Sequence, residues 1–242
     1  TNQLVGYLQR RSGGEGQDGS GKPRAETPLL LHRLDQTTSG VVLTAKTKSA
    51  AAYLHEHWHG EDCKKQYLAL AWRRPDSQLG AAAGDSVIVD VPIGRDVSSA
   101  DPVRRAVNLE EGQSAATRLE VLASSAASDM VLLACTLEES GRTHQIRVHA
   151  SHVGAPLVGD RMYGGAAPGL AVVASAPDEE AAVQLPSEEG TLVRAALHAW
   201  RLRVPHPRTG ERLLIEAPLP DDFRCCMKAH GLEWKGCREG TS

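Results

Sequence analysis

The sequence has no uninterrupted apolar run near the roughly 20 residues that a membrane-spanning helix needs, and no signal-peptide pattern opens it. A membrane role is therefore not expected, and an intracellular location is, with cytoplasm and organelle (mitochondrion or plastid) left undistinguished. A cysteine framework is absent too. The five cysteines, Cys63, Cys135, Cys225, Cys226 and Cys237, are odd in number and irregular in spacing, which excludes a disulfide scaffold and fits a reducing compartment. Adjacent Cys225 and Cys226 with Cys237 supply neither a Cys-x-x-Cys pair nor an evident fourth ligand, so no metal is expected there. Positive charge is also not in excess. The formal net charge of −3 has the wrong sign for a typical nucleic-acid binder.

The average conceals a distribution. Asp178, Glu179, Glu180, Glu188 and Glu189 all lie in one Ala/Pro/Ser-rich stretch between Gly164 and about Gly190, which reads as a solvated acidic insertion at about 165–190. Setting those five carboxylates aside turns −3 into +2. Local basic clusters then stand out at Lys46/Lys48, Lys64/Lys65, Arg73/Arg74, Arg104/Arg105 and Arg142/Arg147. Phosphate contact needs local positive potential rather than a high net charge. With 242 residues and 41% hydrophobic content, the chain can bury one sizeable core, with at most a minor lobe beside it.

The stretch around which the rest is arranged runs from Leu29 to Leu43. Two short apolar runs, Leu29–Leu31 and Val41–Leu43, have the pattern of buried strands. Between them lies His32-Arg33-Leu34-Asp35-Gln36-Thr37-Thr38-Ser39-Gly40. A carboxylate where two core strands part must be compensated by a cation or by hydrogen bonds; Thr38, Ser39 and nearby backbone N–H groups are candidates for the bonds. On its own this is the pattern of an Asx-type turn. Three further stretches change the reading. They are Lys65-Gln66-Tyr67-Leu68-Ala69; the long run Gly141-Arg142-Thr143-His144-Gln145-Ile146-Arg147-Val148-His149, continuing through Gly159-Asp160 to Tyr163-Gly164; and Leu197-His198-Ala199-Trp200 with His206-Pro207.

Together and in this order they resemble the motifs of the RluA-type pseudouridine synthases, over roughly residues 29 to 223. The resemblance implies an α+β fold with a mixed, mainly antiparallel sheet and flanking helices, in a catalytic domain spanning 29–230. It implies an RNA isomerase that converts uridine to pseudouridine without a cofactor. It assigns catalysis to Asp35, with Arg147 as its cation and Tyr67 as the stacking platform for the base. His32, Arg33, Thr38, Arg142, Ile146 and Leu197 become candidate substrate-binding residues. The partner expected is a structured RNA, transfer or ribosomal, with a flipped-out uridine, and the protein is expected to be a monomer. The family's earlier strand with a Lys-Pro segment is not found, and there is no room for the N-terminal RNA-binding domain of many relatives. Residues 1–28 are therefore expected to be a flexible segment or a truncated domain start, and 231–242 a tail.

Along the chain, a helix is expected from Lys48 to about His59, capped by Thr47 or Ser49 and ended by Gly60. His55-Glu56-His57-Trp58-His59 inside it satisfies the His-Glu-x-x-His zinc spacing, so a zinc hydrolase on His55 and His59 is the lesser alternative, beside a catalytically silent RNA-binding relative. Strands are expected at Lys64–Trp72, Ser86–Ile93, Ala115–Ala123 and Met130–Leu137, with a hairpin of Leu197–Pro205 and Glu211–Pro218. A helix from His144 to Val153, N-capped by Thr143, puts Ile146, Ala150 and Val153 on one face. A final helix is expected from Asp221 to about His230.

Overall fold

A computed structural model describes residues 28–59, 61–139, 141–165 and 192–236. The expectations for residues 1–27, for Gly60 as a helix stop, for the insertion from 166 on, and for Cys237 and the rest of the tail lie outside the described residues. Two compact units are distinguished. Of the described residues, one takes in 28–33, 42–59, 61–63 and 203–214; the other takes 34–41, 64–139, 141–165, 192–202 and 215–236. No helix among the described residues is long and apolar enough to cross a membrane.

In the smaller unit, β1 (Leu29–Leu30) pairs antiparallel with β3 (Thr44–Ala45). Helix α1 (Lys48–Glu56) follows. Thr47 is its cap: the residue is extended and its hydroxyl accepts from the Ala50 N–H at 3.1 Å. The helix stops three residues before the expected His59. The His57 ring stacks on Tyr53 at 4.2 Å and its Nδ1 lies 2.8 Å from the Tyr53 carbonyl oxygen, a local bond that ends the regular turn. His59 is thus off the helix that would have aligned it with His55, and among the described residues no three His, Cys, Asp or Glu side chains converge as a metal site.

A seven-stranded sheet, most of it in the larger unit, runs in the order β11–β10–β4–β9–β8–β5, with β2 beside β10. Its strands are β2 (Ser39–Gly40), β4 (Lys64–Trp72), β5 (Ser86–Asp90), β8 (Ala116–Ser124), β9 (Met130–Leu137), β10 (Leu197–Pro205) and β11 (Arg212–Glu216). Pairings β4/β9, β8/β9 and β5/β8 are antiparallel, and β2/β10 is parallel. The fold is therefore α+β with a mixed, mainly antiparallel sheet. Alternation along the strands sends neighbours to opposite faces. Ala69, Ala71, Val131 and Leu133 pack with Ile146, Ala150 and Val153 around helix α2 (Gln145–His152). Leu68, Leu70, Met130 and Leu132 pack with Phe223, Cys226 and Met227 of helix α3 (Asp221–Ala229). With a helix over each face, the middle of the sheet is buried on both sides.

Several local expectations fail for identifiable reasons. The apolar runs flanking Asp35 are not buried strands: Leu30 and Val42 are about half exposed, at 50% and 47%, and the strand after the turn is Ser39–Gly40 rather than Val41–Leu43. The expected strand Ser86–Ile93 ends at Asp90, because Pro92 has no N–H to offer the ladder. The chain resumes as β6 (Ile93–Arg95), which pairs antiparallel with the unforeseen β7 (Arg105–Val107) as a separate ribbon. At α2 the cap position falls to His144, not Thr143. His144 adopts φ 59° and makes no side-chain cap bond; Gln145 Oε1 instead accepts from the Arg142 N–H at 2.9 Å.

Candidate active site

The turn that carries Asp35 is tied to β10. Thr38 N–H donates to the Asp35 carbonyl (3.0 Å) and Val41 N–H to the Ala199 carbonyl (2.9 Å). Arg194 Nη1 donates to the Thr37 carbonyl at 3.2 Å, and the Ser39 hydroxyl bonds His198 Nδ1 at 2.9 Å. Gly40 makes this docking feasible: its φ is 115°, and a Cβ there would run into the Ala199 carbonyl. The result is a carboxylate on a short, well-anchored loop rather than on a mobile tip.

Arg147 approaches it from α2, where its side chain is only 7% exposed. Nη1 lies 3.8 Å from Asp35 Oδ2. The other edge of the guanidinium is occupied more tightly: Nε donates to Asp160 Oδ2 at 2.7 Å and Nη2 to Asp160 Oδ1 at 2.9 Å. Burial alone opposes the charge on Arg147, but the Asp160 hydrogen bonds and charge, followed by the Asp35 charge, outweigh it and hold the guanidinium above its usual range. The two acids differ in access. Asp160 is fully buried, whereas the Asp35 side chain is 21% exposed, so only Asp35 presents a carboxylate from outside.

Tyr163 closes one face of the arginine, with Cζ of Arg147 5.0 Å from its ring centroid. Its hydroxyl accepts from the Arg105 N–H at 2.9 Å and bonds His144 Nδ1 at 2.8 Å. Burial pushes the Tyr163 phenol up. Burial, then the Arg147 charge, pushes His144 down, which favours the neutral imidazole. The left-handed backbone of His144 is thus set against a buried tyrosine rather than left exposed.

Tyr67, Ile146 and Leu197 meet in the apolar cluster on the α2 face of the sheet, Ile146 and Leu197 buried and Tyr67 half-buried against them. Tyr67 sits opposite Cys135 on β9. The hydroxyl oxygens of Thr37 and Thr38 are buried with no hydrogen-bond partner among the described residues. Arg142 donates from Nε to the Ser114 carbonyl at 3.1 Å. With Arg95, Arg105, Gln113 and Glu111 it lines a groove of about 480 Å³ beside the β6–β7 ribbon. His32 and Arg33 belong to the smaller unit. There His32 Nε2 accepts from the Leu43 N–H at 2.9 Å and its ring lies 5.0 Å from that of Trp58, while Arg33 is exposed.

Reading the sequence gave no role to Asp160, Tyr163 or His144. All three stand inside the long arginine-containing stretch, in Thr143-His144-Gln145 and in Gly159-Asp160 and Tyr163-Gly164. The available signal was an acid at a glycine turn shortly after a mid-helix arginine.

The family described as RNA pseudouridylate synthase matches residues 8–152. The chain is 40% identical over 202 residues to ribosomal large subunit pseudouridine synthase D of Nitrosomonas europaea, covering 83% of this chain and 50% of that protein. It is 34% identical over 205 residues to the chloroplastic RNA pseudouridine synthase 2 of Arabidopsis thaliana, covering 81% and 45%. The chain spans about half the length of these curated relatives. Among solved structures, human RNA pseudouridylate synthase domain containing 4 aligns with a TM-score of 0.66 at 25% identity, covering 96% of this chain and 83% of that one.

Proposed function

Because the chain belongs to the RNA pseudouridylate synthase family, we propose that it isomerises uridine to pseudouridine within an RNA, with Asp35 as the carboxylate that acts on the nucleotide. One observation supports this above the others. A carboxylate reachable from outside faces a buried guanidinium at 3.8 Å, in a chain whose motifs match the family in order. The reaction breaks the bond from ribose C1′ to uracil N1 and makes one from C1′ to C5. N1 gains a proton and C5 loses one, so no electrons enter or leave. The chemistry therefore asks for a positioned carboxylate and a site that retains the detached uracil, and for no redox group.

The uridine must leave its stack, at a cost of a few kcal/mol. Tyr67 is the aromatic platform that offsets part of it, and Ile146 and Leu197 form the apolar wall for the uracil. The buried Thr38 hydroxyl, lacking a protein partner among the described residues, suits a hydrogen bond to the substrate. Arg142, with Arg95 and Arg105 along the same groove, suits RNA phosphates. The roles given to His32 and Arg33 rest on the family motif alone. Relatives are named for the ribosomal large subunit, which makes ribosomal RNA the first substrate to try and transfer RNA the second.

The test is pseudouridine mapping on RNA exposed to the protein, with Asp35→Asn as the comparison. New pseudouridine with the parent protein and at least a ~10³-fold slower conversion with the variant is the expected result. Equal conversion by both would remove Asp35 from catalysis, and no conversion by either, with RNA still bound, would favour a silent RNA-binding relative.

A further inference from the structure

We infer that Asp160 is a positioning residue for this reaction: it clamps the Nε/Nη2 edge of Arg147 so that the remaining Nη1 is aimed at Asp35. The inference rests on the reading of Asp35 as the acting carboxylate. A guanidinium carries five N–H groups in one rigid plane, so fixing one edge fixes the direction of the other. Here the edge is fixed by two short bonds, 2.7 and 2.9 Å, to a carboxylate with no exposure. The catalytic side has one looser approach at 3.8 Å. Without the clamp, nothing so short among the described residues holds Arg147 in the one orientation that faces Asp35, and its long side chain has other rotamers to visit.

Asp160 is itself held from several directions. Its N–H donates to the Leu157 carbonyl (3.0 Å) and its carbonyl accepts from Gly165 (2.7 Å). The preceding Val158 donates to the Leu70 carbonyl on β4 (2.9 Å) and accepts from Ala196 (2.8 Å) just before β10. Gly159 has φ 72° and its Cα faces the Arg194 carbonyl so closely that a Cβ would collide with it. The loop thus refers the position of Asp160 to β4 and to the residue that leads into β10, neighbouring strands of the sheet. A simple structural ion pair would tolerate some drift; a catalytic arginine displaced by about 1 Å can cost on the order of 10²-fold in rate.

The role separates from plain stability by a double-mutant cycle, read as single-turnover pseudouridine formation at saturating RNA together with RNA affinity. Asp160→Asn keeps size but offers one acceptor and one clashing NH₂, so it can hold only one arm of the fork. It is expected to slow conversion about 30- to 100-fold while RNA affinity stays within about 3-fold. In an Arg147→Lys background, where there is no fork to hold, adding Asp160→Asn is expected to change the remaining rate by less than about 3-fold. A parent-like rate for Asp160→Asn, or an equal loss in both backgrounds, overturns the inference. If Asp160→Asn does not accumulate folded, Asp160→Glu is read in its place: the charge is kept and the arm is one methylene too long. A slow rate at unchanged affinity supports the clamp, and a parent-like rate overturns it. Absence of conversion by the parent protein would instead sink the underlying functional reading.

Discussion

Tyr163 is held by two bonds to one oxygen. The hydroxyl bonds His144 Nδ1 at 2.8 Å and accepts from the Arg105 N–H at 2.9 Å. Tyr163→Phe leaves both partners unpaired but keeps the ring over Arg147. Each buried polar group left without a partner costs about 1–3 kcal/mol, so chemical denaturation is expected to show a loss of about 2–6 kcal/mol, with conversion at saturating RNA reduced no more than about 5-fold. A loss of rate as deep as that expected for Asp160→Asn would mean the hydroxyl, not the ring, matters to the reaction. Legibility at this scale was uneven. The resemblance of the motifs paired Asp35 with Arg147, and the fold brings the two to 3.8 Å. The resemblance did not name Asp160, because sequence does not say which of two acids a guanidinium grips along its edge. The His55–His59 spacing misled in the opposite way. Nothing in the letters reports that the His57 ring bonds the Tyr53 carbonyl and ends the helix at Glu56.

The elements that were legible are those whose length and alternation leave few options. Lys64–Trp72, Met130–Leu137 and Leu197–Pro205 stand where the pattern put them, since they lie inside the sheet and need apolar residues on both faces. The β6–β7 ribbon was not legible. Three residues in each strand carry no periodicity, and Pro92 disguised the break between β5 and β6 as a continuous strand. That ribbon, with Arg95 and Arg105, forms one wall of the groove shared with Arg142. If the groove receives RNA phosphates, Arg95→Ala removes uniform binding rather than transition-state stabilisation. RNA affinity is expected to weaken about 3- to 10-fold, the salt slope of log Kd to flatten by about 0.7–0.9 for the lost phosphate contact, and the rate at saturating RNA to stay unchanged. Filter binding across a salt series with single-turnover rates decides it. An unchanged slope would take the groove out of the RNA path.

At the scale of the larger unit, three buried histidines join elements that are distant in sequence, and each is held neutral. His149 Nδ1 accepts from the Thr117 hydroxyl (2.9 Å), whose oxygen is itself taken by the Gln145 amide (3.0 Å), so Nε2–H donates to the Val91 carbonyl (3.1 Å). In the same way His198 accepts from Ser39 at 2.9 Å and donates to the Ala217 carbonyl at 3.2 Å. His144 bonds the Tyr163 hydroxyl through Nδ1. These bonds tie α2 to β8, β2 to β10 and the start of α2 to the loop carrying Asp160. Burial is the largest cause in each case and pushes all three imidazoles below the ordinary histidine range. The sign follows from linkage. In the unfolded chain these rings take up protons near pH ~6.5; in the fold they do so only at lower pH. Between those values the unfolded state binds more protons, so stability rises with pH. It is therefore complete above about pH 7 and is lost as pH falls through ~6.5, by up to about 1.4 kcal/mol per unit for each histidine. Most carboxylates protonate only nearer pH ~4, which leaves the window between ~6.5 and ~5 to the imidazoles. Urea unfolding from pH 8 to 5 is expected to be flat and then to decline in that window. His149→Gln, which has no titrating group, is expected to be less stable at pH 7.5 but to show a shallower decline. A midpoint that stays level or rises down to pH 5 would mean the rings take their protons in the folded state, and that the tautomers assigned from these hydrogen bonds are wrong.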